Sequence, residues 1–302
     1  MKIFITGGTG FIGSVLSKEL IKKGHEVTLL LRSTRKEPFD KGVLLVEGNP
    51  NEPGPWQEKI EEHDVIINLA GASIFRRWNS EARKDIFDSR ILTTRHLVEA
   101  LANRKGRETH LLSASGVGYY GFHRDEILDE SSPPGEDFLA QLSSEWESEA
   151  CNAKKFGVRV VLCRFGIVLG KEGGALSKMV PLFKLHLGSF LGKGKQWFPW
   201  IHIYDVVNIF LFLLKDLQIK GPVNFTSPNP VQNKEMTRTL RGVLKKTTVV
   251  PFIPGFILKL ILGEFAKVFL EGHRALPRKL TENGFIFQFP ILEEALKNLL
   301  ES

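Results

Sequence analysis

The sequence predicts an α/β protein: a doubly wound parallel sheet followed by a smaller, mostly helical C-terminal lobe. Three observations lead there. Short apolar runs alternate with stretches of helical periodicity through the first half of the chain. Runs such as Val27-Thr28-Leu29-Leu30-Leu31 stay apolar at consecutive positions, the pattern of a strand covered on both faces. The first run ends in Gly7-Gly8-Thr9-Gly10-Phe11-Ile12-Gly13, directly before a helical pattern begins.

The elements follow in order. Lys2–Thr6 reads as a strand. Phe11–Lys23 reads as a helix, with apolar side chains at 11, 12, 15, 16, 20 and 21, and Gly24 stops it. Strands are expected at Glu26–Leu31, Val43–Val46, Asp64–Leu69, Thr109–Ser113 and Val158–Arg164. Helices are expected at Trp56–Glu61, Ser80–Asn103 and Glu136–Lys155. Such alternation implies right-handed crossovers and a parallel sheet.

After Gly170 the texture changes, and glycines at 173, 174, 188, 192 and 194 break the segment up to Trp200. A helix at Tyr204–Leu214 and a strand at Val223–Phe225 follow, then helices at Gln232–Lys245, Pro254–Leu270 and Leu292–Leu300. The predicted division is a dinucleotide-binding domain over 1–170, with returning elements near 203–228, and a substrate lobe over 171–302. The apolar stretch Phe252–Leu270 is expected to form a core helix; Pro254, Lys259, Glu264 and Lys267 argue against a membrane span.

The 302 residues carry a net charge of +7, but the basic residues are scattered among acids. No nucleic-acid partner is expected, because such binding needs a clustered basic stripe. Two cysteines without metal-ligand spacing fit a reducing compartment, and no signal segment is visible, so a cytoplasmic protein is expected.

The glycine turn carries the strongest chemical signal. Glycine permits a tight turn and close approach of main-chain amides to a diphosphate, while the helix start adds free donors and partial positive charge. In this strand–turn–helix context it marks a Rossmann-type crevice, with Thr6, Gly7, Gly10, Phe11, Ile12 and Gly13 as its candidate residues. The second strand ends in Arg32-Ser33, with Arg35 nearby and no acid to hold a ribose 2′-hydroxyl. A guanidinium can pair with a 2′-phosphate, so NADP(H) is the expected cofactor, with Arg32 and Ser33 at its phosphate.

The motif Thr6-Gly7-x-x-Gly10-x-x-Gly13, the segment Asn68-Leu69-Ala70-Gly71, the run Arg164–Gly170 and Trp200-Ile201-His202-Ile203-Tyr204-Asp205 together resemble the extended, epimerase-like branch of the short-chain dehydrogenase/reductase superfamily. The marks Arg76-Arg77-Trp78, Ser113–Gly121, Trp146-Glu147 and the tail from Leu276 to Pro290 resemble an atypical subgroup of it, and the likeness spans the chain. The resemblance implies that Leu69, Ala70, Gly71 and Arg164 line the cofactor.

The superfamily's chemistry uses a Tyr-x-x-x-Lys pair and a Ser. None of the three tyrosines here, Tyr119, Tyr120 and Tyr204, has a lysine four residues on. The resemblance places Ser115 at the catalytic serine, with Ser113 as the other candidate. Tyr119, Tyr120, His202, Glu145 and Glu147 are candidates for the missing acid. Arg76, Arg77 and Trp78 suggest an anionic or planar small-molecule substrate, or else form a solvated turn with one buried Trp. Two functions remain open: an NADP(H)-dependent oxidoreductase or epimerase with non-standard acid–base residues, or a catalytically silent NADP(H)-binding sensor.

Overall fold

The computed structural model describes residues 1–33, 42–104 and 108–301, with the backbone alone for Leu262. Seven parallel strands form the central sheet: β1 (Lys2–Thr6), β2 (Glu26–Leu31), β3 (Val43–Glu47), β4 (Val65–Asn68), β5 (His110–Gly116), β6 (Arg159–Phe165) and β7 (Gly221–Phe225). Their order is β7-β6-β5-β4-β1-β2-β3. The order reverses between β1 and β4, and an open α/β sheet leaves its ligand crevice beyond the strand ends at that point.

Alternation along each strand fills two cores. Ile3, Ile5, Val65 and Ile67 face one side, where they pack with Leu16 and Leu20 of α1 (Phe11–Lys22) and with Val206, Ile209 and Phe210. Phe4 and Ile66 face the other, where they meet Leu97 and Leu101 of α2 (Ser80–Ala102) and Ala150 of α3 (Phe138–Cys151). Residues of one strand thus bury both faces, which is why the strands read as continuous apolar runs. The expected helix at Trp56–Glu61 is a 3-10 turn, Pro55–Glu62, opened by its proline.

Beyond β6 come α4 (Leu176–Lys184), then α5 (Ile203–Lys215), which returns the chain to the sheet, and α6 (Asn233–Leu244) after β7. The segment Pro254–Leu270 is not one core helix. Gly263, at φ +61, breaks it into α7 (Gly255–Leu262) and α8 (Ala266–Leu270). Phe256 and Leu260 of α7 are 72% and 80% exposed, so the apolar face of α7 lies at the surface, while Phe265 and Ala266 beyond it are buried. The chain closes with α9 (Arg278–Glu282) and α10 (Leu292–Glu301), the latter adding Leu292, Ala295, Leu296 and Leu299 to the α1 side of the core.

Short ladders join the two halves of the chain. Ile127 and Leu128 pair with Arg274 and Ala275. Asp205 on α5 accepts hydrogen bonds from Gln288 N at 2.7 Å and Phe289 N at 3.0 Å. Its carboxylate is fully buried; burial pushes its pKa up and the two amides oppose that rise. Asp205→Ala strands two amides and frees the C-terminal strap, and is expected to cost roughly 2–4 kcal/mol in chemical denaturation.

Candidate functional site

The glycine turn closes because two of its residues have no room for a side chain. A Cβ on Gly7, whose φ is +69, would lie 2.7 Å from the Leu69 carbonyl carbon and oxygen. One on Gly13 would lie 2.3 Å from Gly7 O. Gly10 N donates to Gly7 O at 3.0 Å, and Gly10 itself caps α1 with no side chain on the helix amides and no acid in the first turn. The helix start therefore keeps its donors and its partial positive charge for a ligand. This cradle fits a diphosphate.

Around the turn, Leu69 and Ala70 lean on Gly7 and are half-buried, Gly71 is exposed, and Phe11 and Ile12 are half-buried. The Phe11 ring lies against the backbone of Gly170, Gly173 and Gly174, where added Cβ atoms would fall 2.3 to 2.9 Å from it. Arg32 and Ser33 are exposed at the end of β2, and among the described residues Arg32 pairs with no acid. Arg35 lies outside the described residues.

The Thr6 side chain is directed into the protein. Its hydroxyl is fully buried and donates to Asn68 Oδ1 at 2.7 Å. Asn68 Nδ2 donates to Thr94 Oγ1 at 2.9 Å, which also accepts from Trp146 Nε1 at 2.8 Å. Thr6 thus ties β1 to β4, α2 and α3.

A second cluster forms because the strand register places Ser115, Arg164 and Asn224 side by side on β5, β6 and β7. Glu147 of α3 descends onto them. Its carboxylate accepts from Arg164 Nε at 2.7 Å and Nη2 at 2.8 Å, and from Ser115 Oγ at 2.7 Å. Arg164 Nη1 donates to the Tyr120 hydroxyl at 3.0 Å, which donates to Asn224 Oδ1 at 2.7 Å. Asn224 N donates in turn to Glu130, and its side-chain amide to Leu276 O at 2.9 Å. Burial alone would lower the Arg164 pKa; the hydrogen bonds and charge of Glu147 outweigh it and hold the guanidinium above its ordinary value.

This geometry sorts the candidate acids. Tyr120 is 0% exposed, its hydroxyl is committed on both sides, and burial pushes its pKa up to about 12. It holds Arg164 and Asn224 together and is sealed from substrate. His202 is likewise 0% exposed. It caps α5 by accepting from Tyr204 N at 3.1 Å, and Phe289 stacks on it with ring centroids 3.9 Å apart. Burial lowers its pKa to about 4, so it is neutral and structural rather than a donor near neutral pH. Glu145 is exposed on the outer side of α3. Tyr119 remains: it is half-buried, the Arg164 guanidinium lies 3.5 Å from its ring centroid, and among the described residues its hydroxyl has no hydrogen-bond partner.

Arg164 itself is enclosed by Glu147 and the two tyrosines, so its guanidinium serves the protein rather than a cofactor. Ser113 lies beside Asn68, whose Nδ2 is 3.4 Å from its hydroxyl. Trp78 packs between Phe138 and Phe265 with centroids 5.1 and 5.3 Å away, which joins this turn to the C-terminal lobe, while Arg76 pairs locally with Asp85 of α2. Asn224 and Glu130 were missed, since nothing in their local sequence shows which strand they will adjoin. Among the described residues no group of His, Cys, Asp or Glu could hold a metal ion.

The family model described as the NAD dependent epimerase/dehydratase family matches residues 3–225. The chain belongs to that family. A domain of unknown function, DUF1731, matches residues 253–299. The Arabidopsis thaliana "Epimerase family protein SDR39U1 homolog, chloroplastic" is 40% identical and covers 100% of this chain and 87% of its own. Epimerase family protein YfhF of Bacillus subtilis is 38% identical over 99% of this chain and 98% of its own. The crystal structure of human epimerase family protein SDR39U1 (isoform 2) with NADPH superposes with a TM-score of 0.86 at 32% identity, covering 100% of both chains. As for membranes, among the described residues no helix is long and apolar enough to cross one.

The buried pair makes two outcomes testable. Glu147→Ala leaves a buried guanidinium without its counter-ion and is expected to cost about 3–5 kcal/mol in urea denaturation; pairing Glu147→Leu with Arg164→Met is expected to recover much of it. For His202, a folded pKa of about 4 against an ordinary 6.5 means stability present above pH 6.5 and lost as pH falls towards 4. His202→Asn, which keeps a capping acceptor, is expected to flatten that fall by up to about 3 kcal/mol in pH-dependent denaturation.

Proposed function

We propose that this chain binds NADP(H) in the glycine-turn crevice and uses it to oxidise or reduce a small molecule. The observation that carries the reading is the uncapped start of α1, stacked on a turn where Gly7 and Gly13 exclude side chains, with Arg32 exposed at the tip of the neighbouring strand. Main-chain amides suit the diphosphate and the guanidinium suits a 2′-phosphate. The human relative solved with NADPH, alike over the whole chain, supports the choice.

When bound, the dinucleotide supplies or accepts the hydride. The chain's own part is to hold the reacting oxygen and move its proton. Ser115 is the hydrogen-bonding group: its hydrogen is donated to the Glu147 carboxylate, which leaves its oxygen to accept from a substrate hydroxyl. Tyr119 is the proton donor for reduction and acceptor for oxidation, being the one candidate tyrosine whose hydroxyl is uncommitted among the described residues. The Arg164 guanidinium, 3.5 Å from its ring centroid, holds the ring in place. Glu147, bonded to both Ser115 and Arg164, sets the distance between the two halves of this apparatus.

The second reading, a catalytically silent NADP(H) sensor, draws on α3: where the superfamily carries its Tyr and Lys, this helix offers a carboxylate already neutralised by Arg164. Turnover separates the two. A carbonyl and sugar-nucleotide panel should contain a compound that oxidises bound NADPH. Ser115→Ala and Tyr119→Phe should each slow that oxidation by roughly 100-fold or more. An inert panel would favour the sensor. Arg32→Glu is expected to abolish any preference of NADPH over NADH in fluorescence titration; unchanged selectivity would show that another residue reads the phosphate.

A further inference from the structure

The C-terminal lobe carries an apolar face that no described part of the chain covers. None of the described side chains of α7 is buried, and Phe256, Leu260 and Ile261 stand exposed on it. Leu182 and Leu185 at the end of α4 are exposed as well, and so is Val249. The fold brings these groups to one part of the lobe. Val249 N donates to His186 O at 3.0 Å, just beyond α4. Phe252–Ile253, directly ahead of α7, pairs with Phe190–Leu191, and the Phe190 and Phe252 rings stack 5.9 Å apart. Clustered apolar exposure of this kind marks a contact surface.

The charge of the same two segments says what the surface meets. Residues 173–200 hold four lysines and no acid, and residues 236–263 hold three lysines, two arginines and no acid. These nine cations exceed the net charge of +7 on the entire chain, so the remainder of the molecule is net negative. Lys178 and Lys184 of α4, Lys245 at the end of α6 and Lys259 of α7 are all exposed. Glu264, the acid that follows α7, is held by Arg83.

A second copy of this chain suits such a surface poorly, because a two-fold contact sets the cations against their own equivalents. A nucleic acid would engage the lysines and leave the aliphatic side chains in water. An anionic bilayer satisfies both features. Aliphatic and aromatic side chains enter the acyl boundary, while lysine stems lie along it and carry their ammonium groups to the headgroups. Helix α7 has eight residues. It is therefore about 12 Å long against a hydrocarbon layer of about 30 Å, so it lies in the plane of the interface and does not cross.

We propose that α7, with the end of α4 and Val249 beside it, docks this protein on the surface of an anionic lipid bilayer. The full chain is sedimented with vesicles of phosphatidylcholine alone and with vesicles in which about a third of the lipid is phosphatidylserine. The wild type is expected to bind the anionic vesicles at least about 10-fold more tightly, and to be released as salt rises. Lys184→Gln and Lys259→Gln are each expected to weaken binding about 5-fold. Phe256→Ser combined with Leu260→Ser leaves the charge unchanged and is expected to weaken it about 10-fold or more. These side chains are exposed, so each variant should keep the wild-type Tm. Should the serine variant fail to fold, Phe256→Trp decides: brominated lipid in anionic vesicles quenches its added fluorescence, and an unquenched indole refutes the docking. Three further results overturn the proposal. The wild type leaves both kinds of vesicle unbound at low salt, whether or not it binds a DNA duplex. The serine variant binds vesicles as tightly as the wild type. Sedimentation equilibrium shows a dimer that Leu260→Ser dissolves, which makes a second copy the occupant.

Discussion

The contact on which the second half of the site depends is the buried ion pair between Glu147 and Arg164. Each side chain lies where an isolated charge would be prohibitive, so each requires the other. Their bidentate geometry fixes α3 against β6. Ser115 hangs from one oxygen of the carboxylate, and Tyr120 and Tyr119 are arranged around the guanidinium. The arrangement of Ser115, Tyr119 and Tyr120 therefore follows from one electrostatic requirement, and the apolar sheet on either side supplies the low dielectric that enforces it.

The first half of the site obeys a steric rule instead. Gly7 and Gly13 bring β1, α1 and the end of β4 closer than any side chain would allow. That approach leaves the start of α1 bare and turns its amides to the crevice. A polar thread behind it, from Thr6 through Asn68 and Thr94 to Trp146, joins the floor of the crevice to α3. The two halves are thus mechanically connected: Trp146 ends this thread, and its neighbour Glu147 begins the other. Arg90, braced between Trp146 and Gly71, sits on the same path.

Much of this was legible before folding. The alternation of strand and helix, the doubly apolar strands and the glycine turn rest on local rules of backbone geometry and burial, so the sheet could be anticipated almost strand by strand. Failures came where a local pattern had more than one tertiary solution. The apolar periodicity of 254–270 suits a core helix as well as the broken surface helices it forms around Gly263. His202 and Tyr120 have the right chemistry for acid catalysis, and only their enclosure by Phe289, Arg164 and Asn224 removes them from it. For Trp78 a substrate contact and a packed indole were both open, and its place between Phe138 and Phe265 is the packed one.

The sequence by itself determined the sheet, the cradle and the absence of a Tyr-x-x-x-Lys pair, because these depend on residues near one another in the chain. Tertiary structure alone decided which charges meet. Ser115, Glu147, Arg164 and Asn224 come from four separate elements, and they become neighbours through the parallel register of β5, β6 and β7 and the packing of α3 upon them. A protonation state is set by what surrounds a group in space, and that surrounding does not exist until distant segments have been brought together.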